Sequence, residues 1–356
     1  MKSNINGILF CFGLAIPGYF LGKLFPIIGG PVFGILLGMV IAYWHRPEML
    51  DKGIKYTSKK ILQYAIILLG FGMNLFDVFK VGGQSLIIMV FTLAAAFLTA
   101  YFVGKALKLE GNVPILIGVG TAICGGSAIA ATAPVIKASD KDMAFSISTI
   151  FLFNILAVFI FPALGHLMGM DDMNFGMWAG TAINDTSSVV AAGYAFSDTA
   201  GDYATIVKLT RTLMIIPVTL VLAFWVTAKA KKQGKEGKGE YSIKKIFPWF
   251  ILGFLGASVV VTVVSGSWLN GAVTGNIFHF LTEAGKYCII MAMVAIGLNT
   301  KINELIKNGL KPIALGLCCW FAVAVVSLIC QYFLINILNF CSIHALMKLL
   351  DLTLQL

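Results

Sequence analysis

Eleven apolar runs follow one another along the chain with short connections, at about 5–24, 28–44, 61–79, 83–107, 112–136, 143–168, 174–197, 204–227, 246–265, 277–298 and 308–335. Around 20 apolar residues are needed to cross a bilayer. Inside lipid every backbone polar group must find its partner within the protein, so runs of this length can only span as helices. The expected fold class is therefore an all-α polytopic membrane protein of about 9–11 transmembrane helices. A single membrane domain covers 1–335, and 336–356 forms a C-terminal tail with no assigned role. Composition agrees: 59% of the 356 residues are hydrophobic and 12% charged, against about 45–50% and 25% in soluble domains. That excludes a soluble enzyme and a disordered chain.

The formal charge of +10 belongs to loops rather than to a nucleic-acid surface. Arg46, Lys52, Lys55, Lys59 and Lys60 crowd one connection, and a glycine-containing stretch at 228–245 carries seven lysines. Basic loops face the cytoplasm, which puts the N-terminus inside. If all eleven runs span, 18 loop Lys/Arg lie inside and five outside (Lys23, Lys80, Lys137, Lys141 and Lys348). If runs 5 and 7 are re-entrant, Lys137 and Lys141 move inside and the balance becomes 20 to three. Charge alone does not choose between the two. The first run reads as a retained span rather than a signal peptide, because no small-residue cleavage site precedes a hydrophilic chain. The seven cysteines (Cys11, Cys124, Cys288, Cys318, Cys319, Cys330, Cys341) form no C-x-x-C pair, so neither a disulfide framework nor a metal site is indicated. No cofactor is expected.

Runs 5 and 7 differ from the rest. Residues 120–131 read GTAICGGSAIAA and residues 180–191 read GTAINDTSSVVA, identical at six of twelve positions. Each places a glycine-rich or polar centre between two apolar halves, with Gly125-Gly126 and Asn184-Asp185 in the equivalent middle. Non-helical backbone at membrane depth is tolerated only inside protein or beside a watery cavity. The following half-helix then exposes N–H groups that attract anions, and paired broken helices mark transporter binding sites. The plain alternative, small residues allowing close helix packing, fits run 7 poorly, because Asn-Asp-Thr-Ser-Ser is five polar residues together. Candidate substrate contacts are Gly125, Gly126, Ser127, Asn184, Thr186, Ser187 and Ser188. Asp185, a carboxylate within an apolar run, is the candidate ion-coupling group.

A second echo links Gly72-Met73-Asn74 with Gly297-Leu298-Asn299, each followed by Lys-x-Gly (Lys80-Val81-Gly82 and Lys307-Asn308-Gly309) and a long apolar run. It carries the sign expected of an inverted repeat. Lys208 and Arg211 share a helix face, and the apolar stretch after them, Leu213–Val226, has only 14 residues. They are expected in the outer third of the membrane, either snorkelling to the interface or, for Arg211, contacting an anion by its fork. Glu283 and Lys286, also three apart, are expected to pair. His45, His166, His279 and His344 lie near segment ends and suggest no metal site.

The stretch from Gly118 to Gly193, with GTAICGGSAIAATAPVIKASDKDMAFSISTIFLFNILAVFIFPALGHLMG and WAGTAINDTSSVVAAG, closely resembles the YeiH-type bacterial inner-membrane proteins, which carry the label of sulfate exporters. Looser similarity runs from the first segment to about residue 335, including GFGMNL and AIGLNT, but not into the tail. The resemblance implies kinship with cation/proton antiporters and anion symporters built on inverted repeats, a transport core from runs 5 and 7, and often a homodimer. Three functions compete. The first is a secondary transporter of a small anion, sulfate or an organic sulfonate, coupled to H⁺ or Na⁺. The second is a cation/proton antiporter working through Asp185. The third, an intramembrane serine enzyme at Ser127, lacks a histidine base at that depth, so the chain is expected not to be an enzyme.

Overall fold

The computed structural model describes residues 2–25, 29–44, 47–109, 111–232, 248–265, 272–300 and 310–354, and every regular element among them is helical. In chain order these are α1 (Lys2–Leu24), α2 (Gly30–Ile41), α3 (Asp51–Tyr56), α4 (Leu62–Leu69), α5 (Leu75–Ala106), α6 (Val113–Ala122), α7 (Gly126–Thr132) and α8 (Asp140–Leu167). They continue as α9 (Asp172–Ala182), α10 (Thr186–Phe196), α11 (Asp198–Leu213), α12 (Ile215–Lys232), α13 (Trp249–Ser265), α14 (Ala272–Leu298) and α15 (Leu310–Leu354). Six helical stretches are long and apolar enough to cross a membrane: α1, α5, α8, α14, Leu310–Leu334 of α15, and α11 running into α12. The basic stretch at 228–245 lies outside the described residues beyond Lys232, as does Lys307-Asn308-Gly309.

Local chemistry sets the helix starts. Asn74, Ser139, Asp171, Asp185 and Ser197 cap α5, α8, α9, α10 and α11, each side chain accepting from a backbone N–H two or three residues on. Pro31 and Pro114 stand in the first turns of α2 and α6, where a missing N–H costs nothing.

One expected boundary moves. The break anticipated between 79 and 83 does not occur, because α5 runs straight through Lys80-Val81-Gly82. The chain instead breaks at Met73–Asn74, after a tight turn at Gly70–Gly72, where the Asn74 side chain accepts from Phe76 N at 2.8 Å. Lys80 is exposed on the helix, so it does not need a loop to stay solvated. The apolar α15 also continues through 336–354 instead of ending near 335.

The helices form two packed groups. In the first, α14 lies against α1, α2 and α4, with α13 on α4. Gly38 and Gly297 face each other there so closely that a Cβ on either would overlap the opposing backbone. In the second, α5, α8, α11 and α15 surround the two broken segments, α6–α7 and α9–α10.

Both broken segments are re-entrant hairpins. At the first, Asn112 N, just before α6, donates at 3.4 Å to Oδ2 of Asp142, in the first turn of α8, the helix that follows α7. At the second, Ser197 Oγ, just after α10, donates to Asp172 Oδ1 at 2.7 Å, at the start of α9. The Phe175 and Phe196 rings of that hairpin stack at 4.0 Å. The first hairpin therefore leaves and returns at the N-terminal end of α8, and the second at its C-terminal end. Lys137 and Lys141 then share a side with the start of α6, the arrangement with the stronger charge bias.

Candidate functional site

The two hairpin tips meet beside the middle of α8. Asp185 N donates to Asn154 Oδ1 at 3.1 Å, and Asn154 lies 14 residues into the helix Asp140–Leu167, roughly 20 Å from either end. Gly125 closes the contact from the other hairpin: a Cβ there would lie 3.3 Å from Asp185 Cβ and 3.4 Å from Asn154 Nδ2. Its φ of +68° and ψ of −131° suit glycine alone.

Each half-helix presents a charged end to this junction. The C-termini of α6 and α9 carry carbonyls with no helical partner, the negative ends of their dipoles. Both are bound from one helix. Lys208 Nζ donates to Ile123 O at 2.8 Å and Ile183 O at 2.9 Å. Arg211 Nε donates to Ala122 O at 2.7 Å, while its two terminal nitrogens reach Thr121 O and Thr181 O. These carbonyls are equivalents in the repeat: 121 with 181, and 123 with 183. Two side chains one turn apart on α11 thus clasp the same positions of two hairpins that approach from opposite sides. Five charge-assisted bonds, each about 1.5–3 kcal/mol, offset the several kcal/mol of desolvation that each buried cation costs.

Lys208 and Arg211 are both 0% exposed, so neither sits in the outer third nor snorkels. The depth expected for them counted only the apolar run after them. The preceding turns of α11 carry Ala200, Gly201 and Ala204, which look weakly hydrophobic in sequence. They are nonetheless buried against α9 and α10, and protein rather than water surrounds them.

At the positive end of α10, Asp185 Oδ2 accepts from Ser187 N at 3.0 Å and from Ser187 Oγ. Its carboxylate faces the helix end of opposite sign. Asn184, one residue earlier, is 0% exposed, and neither its Oδ1 nor its Nδ2 has a hydrogen-bond partner among the described residues. Thr121 Oγ1 on the other hairpin is buried and unpartnered too, whereas its equivalent Thr181 Oγ1 shares a hydrogen bond with Ser327 Oγ at 2.6 Å.

The sequence candidates therefore divide. Gly125, Asn184, Asp185 and Ser187 belong to the junction, with Thr186 half-buried and Ser188 buried in the first turn of α10. Gly125 N–H is spent on Gly120 O at 2.9 Å. Gly126 is half-buried, and Ser127 is exposed on the seven-residue α7. Arg211 reaches the junction through carbonyls of both hairpins. Asn154 was not among the candidates; its signal is a lone amide at the centre of run 6. Away from the tips, Lys286 pairs with Glu283 Oε1 at 2.9 Å and also with Asp198 Oδ2 at 2.9 Å, tying α14 to the start of α11. Among the described residues no cluster of metal-ligating side chains occurs.

Comparison with known proteins shows the family. Residues 6–316 match the model of a family described as conserved hypothetical protein 698. The chain belongs to that family. UPF0324 membrane protein FN0533 of Fusobacterium nucleatum is 48% identical over 342 residues, 92% of this chain and 97% of the relative. A UPF0324 membrane protein of Streptococcus mutans is 49% identical over 93% of this chain and 97% of its own length. Another, from Streptococcus pyogenes serotype M18, is 52% identical over 92% and 96%. No solved structure matches. The YeiH-type resemblance read from Gly118–Gly193 thus holds at the level of the family, and the chain is a polytopic membrane protein of it.

Proposed function

We propose that the chain is a secondary active transporter of a small anion, sulfate or an organic sulfonate moved outward, with its site where the hairpin tips meet. The observation that carries this reading is the charge at the junction. Lys208 and Arg211, both fully buried, hold the backbone carbonyls of both tips, and the positive end of α10 opens at the same junction beside Asp185. Two buried cations and a helix N-terminus gathered at mid-depth favour an anionic ligand. Re-entrant tips meeting near the midplane are the usual place for a transported ligand.

In this reading Asp185 carries the coupling ion, H⁺ or Na⁺, Thr186 and Ser188 offer first-turn donors of α10 to the anion, and Ser187, whose N–H and hydroxyl both go to Asp185 Oδ2, holds that carboxylate in place. The protein acts as a transporter rather than an enzyme, in the bacterial inner membrane with its N-terminus cytoplasmic. Its partners are the bilayer, the anion and a second copy of itself, with no nucleic acid. The test is uptake of labelled sulfate by proteoliposomes under an imposed pH or Na⁺ gradient. Saturable, gradient-dependent accumulation is expected, and flux unchanged by Asp185→Asn would remove the coupling role.

A second reading, cation/proton antiport, rests on that same carboxylate, half-buried with one oxygen committed to Ser187. It predicts collapse of a pH gradient on adding Na⁺ or Li⁺ whichever anion is present.

A further inference from the structure

Asn184 constrains the ligand more tightly than charge does. Its amide offers one strong acceptor, Oδ1, and two donors on Nδ2, and none is used although the side chain is 0% exposed. Leaving such atoms bare inside protein is costly. The residue before an N-cap is under no local demand to be an amide, and the equivalent position of the first hairpin is Cys124. A bare cation would satisfy Oδ1 and leave Nδ2 without an acceptor. A fully deprotonated oxyanion only accepts, so it would satisfy Nδ2 and leave Oδ1 bare. The neighbours sharpen the point: Asp185 accepts only, while the first turn of α10 donates. The two kinds of group therefore stand side by side.

We propose that the ligand of this site is a small anion that still carries an O–H or N–H donor, and that Asn184 reads both ends of that pairing. This deepens the anion-transport reading and rests on it: within that reading a hydroxylated organic sulfonate is the preferred ligand, and sulfate, which carries no donor at neutral pH, binds more weakly. The oxyanion end takes hydrogen bonds from Nδ2 and the first-turn N–H groups of α10. The ligand's donor goes to Asn184 Oδ1. A site built around a buried acceptor rejects an analogue that lacks the matching donor, because binding then strands the acceptor.

Thermal stabilisation of the purified full-length protein by three probes tests this, since a ligand of the folded state raises stability as ln(1 + [L]/Kd). The probes are isethionate, which carries a hydroxyl; ethanesulfonate, its counterpart without one; and sulfate. Isethionate is expected to bind roughly tenfold or more tightly than ethanesulfonate. Asn184→Ala is expected to abolish that difference. Asn184→Leu, which fills the volume, serves as the second variant should the smaller residue fail to fold. Equal stabilisation by isethionate and ethanesulfonate overturns the donor requirement and leaves anion transport standing. A preference that survives in both variants overturns the role of Asn184. No stabilisation by any probe removes the anion reading itself, and the donor requirement with it.

Discussion

The two hairpins share a repeat and a clasp yet differ in what makes their tips. In the first, the turn between α6 and α7 is glycine: Gly125 takes a backbone conformation with positive φ and contributes no side chain. In the second, the turn between α9 and α10 is Asn184-Asp185, flanked by Ile183 and closed by Asp185 in ordinary extended backbone, with the carboxylate capping α10. One tip supplies space and the other supplies chemistry. The absence of a Cβ at Gly125 lets Asp185 and Asn154 come together at the middle of α8. A diverged repeat thus yields an asymmetric site from symmetric scaffolding, and substitutions in the two tips are expected to fail in different ways.

The largest effect is expected where the hairpins are held alike. Arg211→Met strands the carbonyls of Thr121, Ala122 and Thr181; at about 1–3 kcal/mol for each buried orphan, a loss of roughly 3 kcal/mol or more follows. Lys208→Met strands one carbonyl of each hairpin and is expected to cost about 2 kcal/mol or more by the same rule. Thermal unfolding in detergent measures both. Arg211→Lys is expected to fall between wild type and Arg211→Met, because an ammonium lacks the fork that reaches both hairpins. An unchanged melting temperature in Arg211→Met would show that the clasp does not hold the tips.

Neighbouring glycines sharpen the contrast next. Gly125→Ala forces an L-residue into a glycine-only conformation and sets its Cβ against Asp185, at a cost of about 1–3 kcal/mol. Gly126→Ala places its Cβ no closer than 3.9 Å from Ile147 and is expected to stay within about 0.5 kcal/mol of wild type. Equal losses at both positions would mean that the first tip is not made by backbone conformation. Asn154→Leu removes the acceptor of Asp185 N and is expected to cost about 1–2 kcal/mol, read by the same melt.

Much of the plan was legible because lipid leaves few options. Apolar runs announced helices, and a polar or glycine centre inside such a run announced a break. Segment depth was harder to read. Hydropathy scores Ala200, Gly201 and Ala204 as indifferent, yet small residues are what a helix needs when two half-helices pack against it. The cations after them therefore looked peripheral. The echo at Gly72-Met73-Asn74 marked the end of a run, but the segment bounds put the break at 79–83, since one capping amide outweighed a Lys-Val-Gly that a helix tolerates. Asn154 and the orphaned Asn184 amide depend on which segments meet. No spacing within one run encodes that.

A small structural effect is expected at the residue with the largest functional one. Asp185→Asn keeps an N-cap oxygen, and asparagine caps helices about as well as aspartate. The Ser187 N–H therefore keeps an acceptor, and stability is expected to change by under about 1 kcal/mol. What disappears is the negative charge at the second tip, and with it the group proposed to bind a coupling cation. Gradient-driven accumulation of sulfate is expected to fall to equilibration while the melting temperature holds. Gly125→Ala is expected to do the reverse, lowering the melting temperature and flux together, because it changes shape and leaves charge alone. If Asp185→Asn destabilises the protein as much as Gly125→Ala does, the second tip is also a structural device, and the division of labour between the hairpins fails.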